Sequence, residues 1–412
     1  MVRRQMPLSG YRVLDFSWVW SGPMVGSVLA ELGAEVIKIE HGKKLDNSRL
    51  RGRPTIEGRS PEGPSIELVP YFHQTNHDKL SITINLKHPR GTELVHKLVA
   101  ISDIVIENLS PGTMARNNLA YEDLRRLRPD IIMLSMSAAG QYGPLRDMRA
   151  YAPVLSAFGG LEGLVGYTSS ESIGMLNFGY ADPNATAHAL VAVLAAVYDR
   201  ERTGRGHYID MSQLEALLAV LAEPLLEALF NHRDTQPRGN SHPFMSPHGI
   251  YPCAGDDTWV SIAVKSDTEW RALVEAMGRP AWALKPEYSD RYGRLMHRDQ
   301  IDRHLAAWTR TQWRDELVDQ LRRVGVAASP VLRVEEQWSY PQFLARSIRQ
   351  MVKHPLLGEE YLYRVPWRLS KTQPTVERSA PLLGADNAYV FVQLLGLDPG
   401  EVERLQSEGV IA

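Results

Sequence analysis

The sequence predicts an α/β fold: a doubly wound, Rossmann-like parallel sheet forming a large domain, with a second, smaller α+β domain. Three observations lead there. Short apolar runs alternate with helix-period stretches through residues 11–135, a pattern that calls for crossover helices and parallel pairing. A run of small apolar residues at 185–197 is long enough for a central helix. From Asn231 the chain turns polar and rich in Pro and Gly before a new strand-and-helix pattern begins, which marks a domain boundary.

The opening unit reads as a strand at Tyr11–Phe16, a helix opened by Ser21-Gly22-Pro23 and closed by Gly33, and a strand at Glu35–Glu40. Pro is tolerated in a first helical turn and Gly stops a helix. The segment Gly22-Pro-Met-Val-Gly26 lacks the Gly-x-Gly-x-x-Gly spacing of a dinucleotide site. Gly42–Pro70 has no apolar period and reads as a long loop; long loops in compact domains often carry function. Strands follow at Leu80–Asn85, Ile104–Ile106 and Asp130–Ser135, with a helix at Arg90–Ala100 and another before the last strand. Ligands on such sheets sit beyond the C-terminal strand ends, which puts Trp20, Ser21, Asn108, Leu109, Arg116, Gly140 and Gly143 on the ligand side.

Asp182-Pro183 reads as the N-cap and first residue of the central helix, which runs to about Arg202 with Gly204 as its stop. Its body is apolar on nearly every face, as in a buried helix. Asp182 thus has two readings, a plain cap or a reactive carboxylate at the positive helix end. A strand at His207–Met211 and a helix at Leu214–Phe230 close the first part of the large domain, residues 1–230. The small domain, 231–330, carries a strand at Trp259–Val264, helices near 267–277, 298–308 and 312–323, and a strand at Val326–Val331. Residues 331–412 return to complete the large domain: a proline-bearing stretch at 338–380 with little periodicity wraps a surface, and helices at Asn387–Leu395 and Glu401–Glu408 end the chain.

Composition narrows the function classes. A chain of 412 residues with 44% hydrophobic content can bury a sizeable core. A net charge of −2 provides no basic face for nucleic acid. The single Cys253 leaves no internal disulfide and points to a reducing cytoplasm. The 13 histidines are scattered along the chain, and no metal is expected. The basic N-terminus lacks a signal-peptide core, and no apolar run reaches the roughly 20 residues of a membrane span, so neither export nor membrane anchoring is expected.

Leu8-Ser-Gly-Tyr-Arg-Val-Leu-Asp-Phe16, Gly22-Pro23 and Leu32-Gly-Ala-Glu-Val-Ile-Lys-Ile-Glu40 resemble the opening of the class III CoA-transferases, the formyl-CoA transferase and carnitine CoA-transferase (CaiB/BaiF) group. The resemblance continues through Asn76, Lys79, Leu86-Lys87, Val105-Ile-Glu-Asn108, Pro111-Gly112, Arg202-Thr-Gly-Arg-Gly206, Gly239-Asn240, His248-Gly-Ile-Tyr251, Trp259 and Pro381-Leu-Leu-Gly384. It implies an enzyme that moves CoA from an acyl-CoA to a carboxylic acid through a covalent intermediate on Asp182, with CoA as substrate and no resident cofactor or metal. It places CoA against Trp20, Ser21, His41, Lys87, Asn108, Leu109, Arg116 and Arg149, with Lys87, Arg116 and Arg149 toward phosphates, and Tyr151 within the site. It makes Gly239-Asn240-Ser241 a shortened form of the loop that covers the nucleophile.

Two departures count against oxalate and formate: Trp20 stands where formyl-CoA transferases have Gln, and His41 where they have Arg. Trp18, Trp20 and Phe244 leave open a larger acyl pocket or ordinary core packing. The α-methylacyl-CoA racemases share the matching Asp but add a His base, and Arg149-Ala-Tyr-Ala152 has no His. A non-catalytic CoA-binding subunit is the other alternative, and Asp182 argues against it. The family's interlocked dimers imply a homodimer here, with a heteromer as the alternative assembly.

Overall fold

Arg12–Asp15, Glu35–Glu40, Leu80–Thr83, Ile104–Glu107 and Ile132–Ser137 (β1–β5) are short strands that bury side chains at successive positions. Strands of that kind lack a solvent face and need cover on both sides. In the computed structural model, which describes residues 6–52, 55, 58–168, 171–175 and 178–411, they join His207–Ser212 (β6) in one parallel sheet of order β3-β2-β1-β4-β5-β6.

Helices alternate with these strands: α1 (Ser21–Glu31), α2 (Pro70–Asn76), α3 (Pro89–Ala100), α4 (Thr113–Arg116), α5 (Tyr121–Leu127), α6 (Ala152–Phe158) and α7 (Ala181–Thr203). Val13, Val36, Ile104 and Leu134 enter a core with Val25 and Leu29 of α1 and Ala185, Ala189 and Val193 of α7. Their neighbours Leu14, Ile37, Val105 and Met133 enter another with Leu94, Val95 and Leu98 of α3 and the late residues Val390 and Phe391.

Contacts divide the chain into two compact units. One comprises Met1–Gly159, Asn177–Leu226 and Arg346–Ala412, the other Gly160–Leu176 and Glu227–Ala345. The second unit holds an antiparallel sheet of β7 (His248–Pro252), β8 (Trp259–Ala263) and β9 (Ala327–Val331), with β8 in the middle. Its core joins Val260, Ile262, Trp270, Leu273, Leu305 and Leu321. Among the described residues no helix is long and apolar enough to cross a membrane.

Four expectations are corrected. Helix α7 begins at Ala181, so Asp182 is its second residue, and Tyr180 is an N-cap without a side-chain bond. The helix does end at Gly204, whose φ of 71° is left-handed, a conformation glycine adopts without strain. Nor is α7 enclosed all round, because Val191 and Tyr198 are largely exposed in this chain and Leu194 partly so. The helix expected at Leu214–Phe230 is two, α8 (Gln213–Ala219) and α9 (Ala222–Asn231). Pro224 explains the break, since it fits a first turn but would remove an interior bond from a continuous helix. Finally, the stretch read as aperiodic contains a hairpin, β10 (Arg349–His354) and β11 (Gly358–Tyr363). The Gln74 side-chain amide donates to the Tyr363 carbonyl and accepts from its N–H, both at 2.9 Å, so α2 continues that hairpin's bonding.

Beneath α1 lies a buried charge network. Lys79 Nζ donates to Asp15 Oδ2 at 2.7 Å, to the Pro23 carbonyl at 2.8 Å and to Asn76 Oδ1 at 2.9 Å. Lys38 Nζ lies 3.0 Å from Asp46 Oδ2 and donates to the Ser17 carbonyl at 2.7 Å. Burial alone would raise the Asp15 pKa, but Lys79 and Lys38 outweigh it and hold the carboxyl below its ordinary value. Gly22 and Gly26 let α1 settle on this layer, because a Cβ would come within 2.4 Å of Ser17 Cβ at Gly22 and within 2.8 Å of Asp15 Oδ2 at Gly26.

Lys79→Met removes the cation and leaves Asp15 charged and buried, a change that costs about 3–5 kcal/mol. Denaturant unfolding should show a loss of that size, and the double variant Asp15→Leu/Lys79→Met should recover much of it.

Candidate active site

The network fixes the turn between β1 and α1. The Asp15 side chain accepts from the Ser17 N–H at 2.8 Å, and the Asp46 side chain accepts from the Val19 N–H at 2.9 Å. Val19 is held at a φ of +70°, a costly conformation for a β-branched residue and one that clusters at functional sites. Asn108, just past β4, closes the turn from the other side: its Oδ1 accepts from the Trp18 N–H at 2.7 Å and its Nδ2 donates to the Trp18 carbonyl at 2.8 Å. The turn thereby delivers Ser21 as the first residue of α1, where the N-cap Trp20 offers no side-chain bond to the free N–H groups.

Asp182 meets that helix start. The Ser21 hydroxyl and backbone N–H act on its carboxylate and favour the charged form, so Asp182 faces the N-terminus of α1. Small residues allow the approach, since Ala185 and Ala189 of α7 pack in the same core as Val25 and Leu29 of α1. Thr186 Oγ1 ties the helices by donating to the Ser21 carbonyl at 2.9 Å. Burial raises the Asp182 pKa above its ordinary value, while Ser21 and the Arg51 guanidinium pull it down.

An aromatic and cationic wall adjoins the carboxylate. Tyr71 feels the charges of both Arg51 and Asp182. Arg51 lies over the Tyr71 ring at 5.3 Å and the Tyr151 ring at 5.8 Å. Trp20 meets Tyr71 edge-on at 5.7 Å, and Asn47 Nδ2 donates to the Tyr151 hydroxyl at 3.4 Å. Gly179 keeps this wall in place, because a Cβ there would come within 2.8 Å of the Trp20 ring.

Of the residues expected from the sequence, Trp20, Ser21, Asn108 and Tyr151 gather around Asp182. His41 and Lys87 form a separate basic group with Lys43 and Lys44, in which burial and these lysines lower the His41 pKa. The Leu109 N–H donates to Glu107 Oε2 at 2.7 Å. Arg116 is exposed and turned back on its own helix, with Nη2 donating to Thr113 Oγ1 at 2.9 Å. Arg149 is exposed. Gly239, Asn240 and Ser241 belong to the second unit. There Gly239 donates to the Gly166 carbonyl at 2.9 Å, His248 Nδ1 lies 2.6 Å from the Asn240 carbonyl, and Ser241 Oγ donates to the Arg238 carbonyl at 2.8 Å. Arg51, Tyr71 and Asn47 escaped the sequence reading. The long loop at 42–70 was the one signal for Asn47 and Arg51, and it did not single out a residue.

The sequence profile of CoA-transferase family III matches residues 8–387. The chain is 34% identical over 409 residues to succinyl-CoA–D-citramalate CoA-transferase of Chloroflexus aurantiacus, covering 99% of each protein. It is 32% identical over 394 residues to succinate–glutarate CoA-transferase of Agrobacterium fabrum, covering 96% of this chain and 97% of that one. The crystal structure of a CaiB/BaiF family protein from Brucella suis superposes with a TM-score of 0.85 at 28% identity, covering 95% of this chain and all of the other.

Glu107 offers a check on the strand ends near this site. Burial raises its pKa from an ordinary 4.5 to about 7, against the Ser135 hydroxyl and the Leu109 N–H. Between those values the folded protein holds a proton that the unfolded chain releases, so this contribution to stability is present below pH 4.5 and lost as pH rises through 7. Glu107→Gln keeps an acceptor for Leu109 without the charge. It should flatten that slope and exceed the parent's stability above pH 7 by about 2 kcal/mol in denaturant titrations at several pH values.

Proposed function

Because the chain belongs to CoA-transferase family III, and so is an enzyme that moves CoA between an acyl-CoA and a carboxylic acid, we propose that Asp182 carries the transfer covalently. The observation behind this is a half-buried carboxylate at the start of α7 that faces the hydroxyl and backbone N–H of Ser21 at the start of α1, where Thr186 Oγ1 donates to the Ser21 carbonyl at 2.9 Å. A carboxylate oxygen attacks the thioester carbonyl carbon, the C–S bond breaks, and a mixed anhydride and CoA thiolate form. The thiolate then attacks the Asp182 carbonyl, releasing the first acid and leaving an aspartyl-CoA thioester. The acceptor carboxylate attacks that thioester, and returning thiolate takes the new acyl group and frees Asp182. No net proton or electron moves. Each step places negative charge on a carbonyl oxygen, and in this reading the Ser21 N–H and hydroxyl supply donors for it.

Trp20, Ser21, Asn108, Leu109 and Tyr151 line the reacting end of CoA in this reading. Lys87 with His41, Arg116 and Arg149 supply positive charge for its phosphates. The assembly is a homodimer of interlocked chains. Ala187, Val191, Leu194 and Tyr198 form an exposed apolar stripe along α7, the kind of surface that a partner covers. The buried free thiol of Cys253 suits a reducing cytoplasm.

With an acyl-CoA donor present, hydroxylamine should trap its adduct on Asp182, located by mass spectrometry, and Asp182→Ala should lose at least about 1,000-fold in kcat. An adduct elsewhere, or turnover by Asp182→Ala, would refute the assignment. Light scattering should give twice the chain mass; a monomer contradicts the dimer.

A further inference from the structure

Two arginines stand two residues apart in the loop after β2, and their surroundings differ. Arg49 is fully buried, with Nε and Nη2 on the two oxygens of Glu40 at 2.8 Å each and Nη1 on Glu67 at 2.7 Å. Arg51 is exposed and has no ion pair within 4.0 Å among the described residues. Its guanidinium lies over the Tyr71 ring at 5.3 Å and the Tyr151 ring at 5.8 Å, within electrostatic reach of Asp182, a setting that orients a planar cation without neutralising it.

The charge at this site changes through the reaction. Free Asp182 carries one negative charge, but as anhydride or thioester it carries none, and Arg51 then has no counter-charge beside it. A monocarboxylic acid offers none either once it becomes an acyl-CoA. A dicarboxylic acid keeps its second carboxylate in every state, as free acid, anhydride and thioester. Resting on the reading of Asp182 as the residue that exchanges acyl groups, we infer that Arg51 binds the remote carboxylate of a dicarboxylic acid and is the specificity-determining residue of the enzyme. A fork of donors meets a carboxylate at two points, so Arg51 also fixes which end of the acid reaches Asp182.

The test uses the full chain, with acetyl-CoA and succinyl-CoA as donors and two matched pairs of acceptors, succinate against butyrate and glutarate against valerate. The readout is the ratio of kcat/KM for diacid over monoacid. The parent should favour the diacid in at least one pair. Arg51→Met should lower that ratio about 100-fold, the scale of a lost bidentate charged contact, and Arg51→Lys should lower it less. Melting curves of both variants should match the parent's, since Arg51 lies at the surface. An equal fall for diacids and monoacids overturns the inference, because Arg51 then acts only by keeping Asp182 ionised; so does a parent that favours monoacids. Hydroxylamine trapping separates this failure from the other. An unchanged ratio with the adduct on Asp182 removes only the role of Arg51, whereas an adduct elsewhere removes the nucleophile.

Discussion

The ion pairs between Lys79 and Asp15 and between Lys38 and Asp46 are the constraint on which the rest of the first unit depends. Two lysines and two aspartates are buried under one helix start, where an unpaired charge would be far costlier than a lost apolar contact. Each charge is also a hydrogen-bonding centre. Lys79 reaches the Pro23 carbonyl inside α1, Lys38 reaches the Ser17 carbonyl before it, and Asp46 holds the left-handed Val19. An apolar layer of the same volume would fill the space but could not dictate that backbone path. The turn that presents Ser21 to Asp182 is therefore set by electrostatics beneath it rather than by its own residues.

The same logic explains the loop after β2. Arg49 bridges Glu40 and Glu67 and lies over the Phe72 ring at 3.7 Å, pinning the loop to the end of β2 and to α2. With that clamp in place, Arg51 emerges at the surface beside Tyr71 and Tyr151. One arginine builds the site and the other is free to serve it. Helix α2 is in turn tied to the returning C-terminal segment: His73 Nδ1 lies 2.8 Å from Glu360, and Glu31 joins His77 at 3.0 Å to the Val365 N–H at 3.0 Å. Residues 346–412 thus support the wall of a site they do not line.

Much of the sheet was legible because its signals are local. β2 was placed to the residue, and α3 and the stop of α7 to within one. Errors arose where a signal depends on something distant. Asp182-Pro183 has the local form of a cap, but the carboxylate is drawn to Ser21, far away in sequence. The apolar body of α7 reads as buried whether its cover comes from this chain or from another. The hairpin β10–β11 has no clean alternation, because its outward side chains are apolar in part, with Met351, Tyr361 and Tyr363 exposed.

The sequence by itself determined the alternation of strand and helix, a long helix ending at Gly204, and a resemblance specific enough to name a reaction. Those features rest on periodicity and residue identity, which the linear order carries. Only the tertiary structure decided that Asp182 faces the start of a second helix, that Arg51 rather than Arg49 stands near it, and that His41 and Lys87 form a separate basic group. These are juxtapositions across long stretches of chain, and they follow from where buried charges find their partners, which local sequence does not encode.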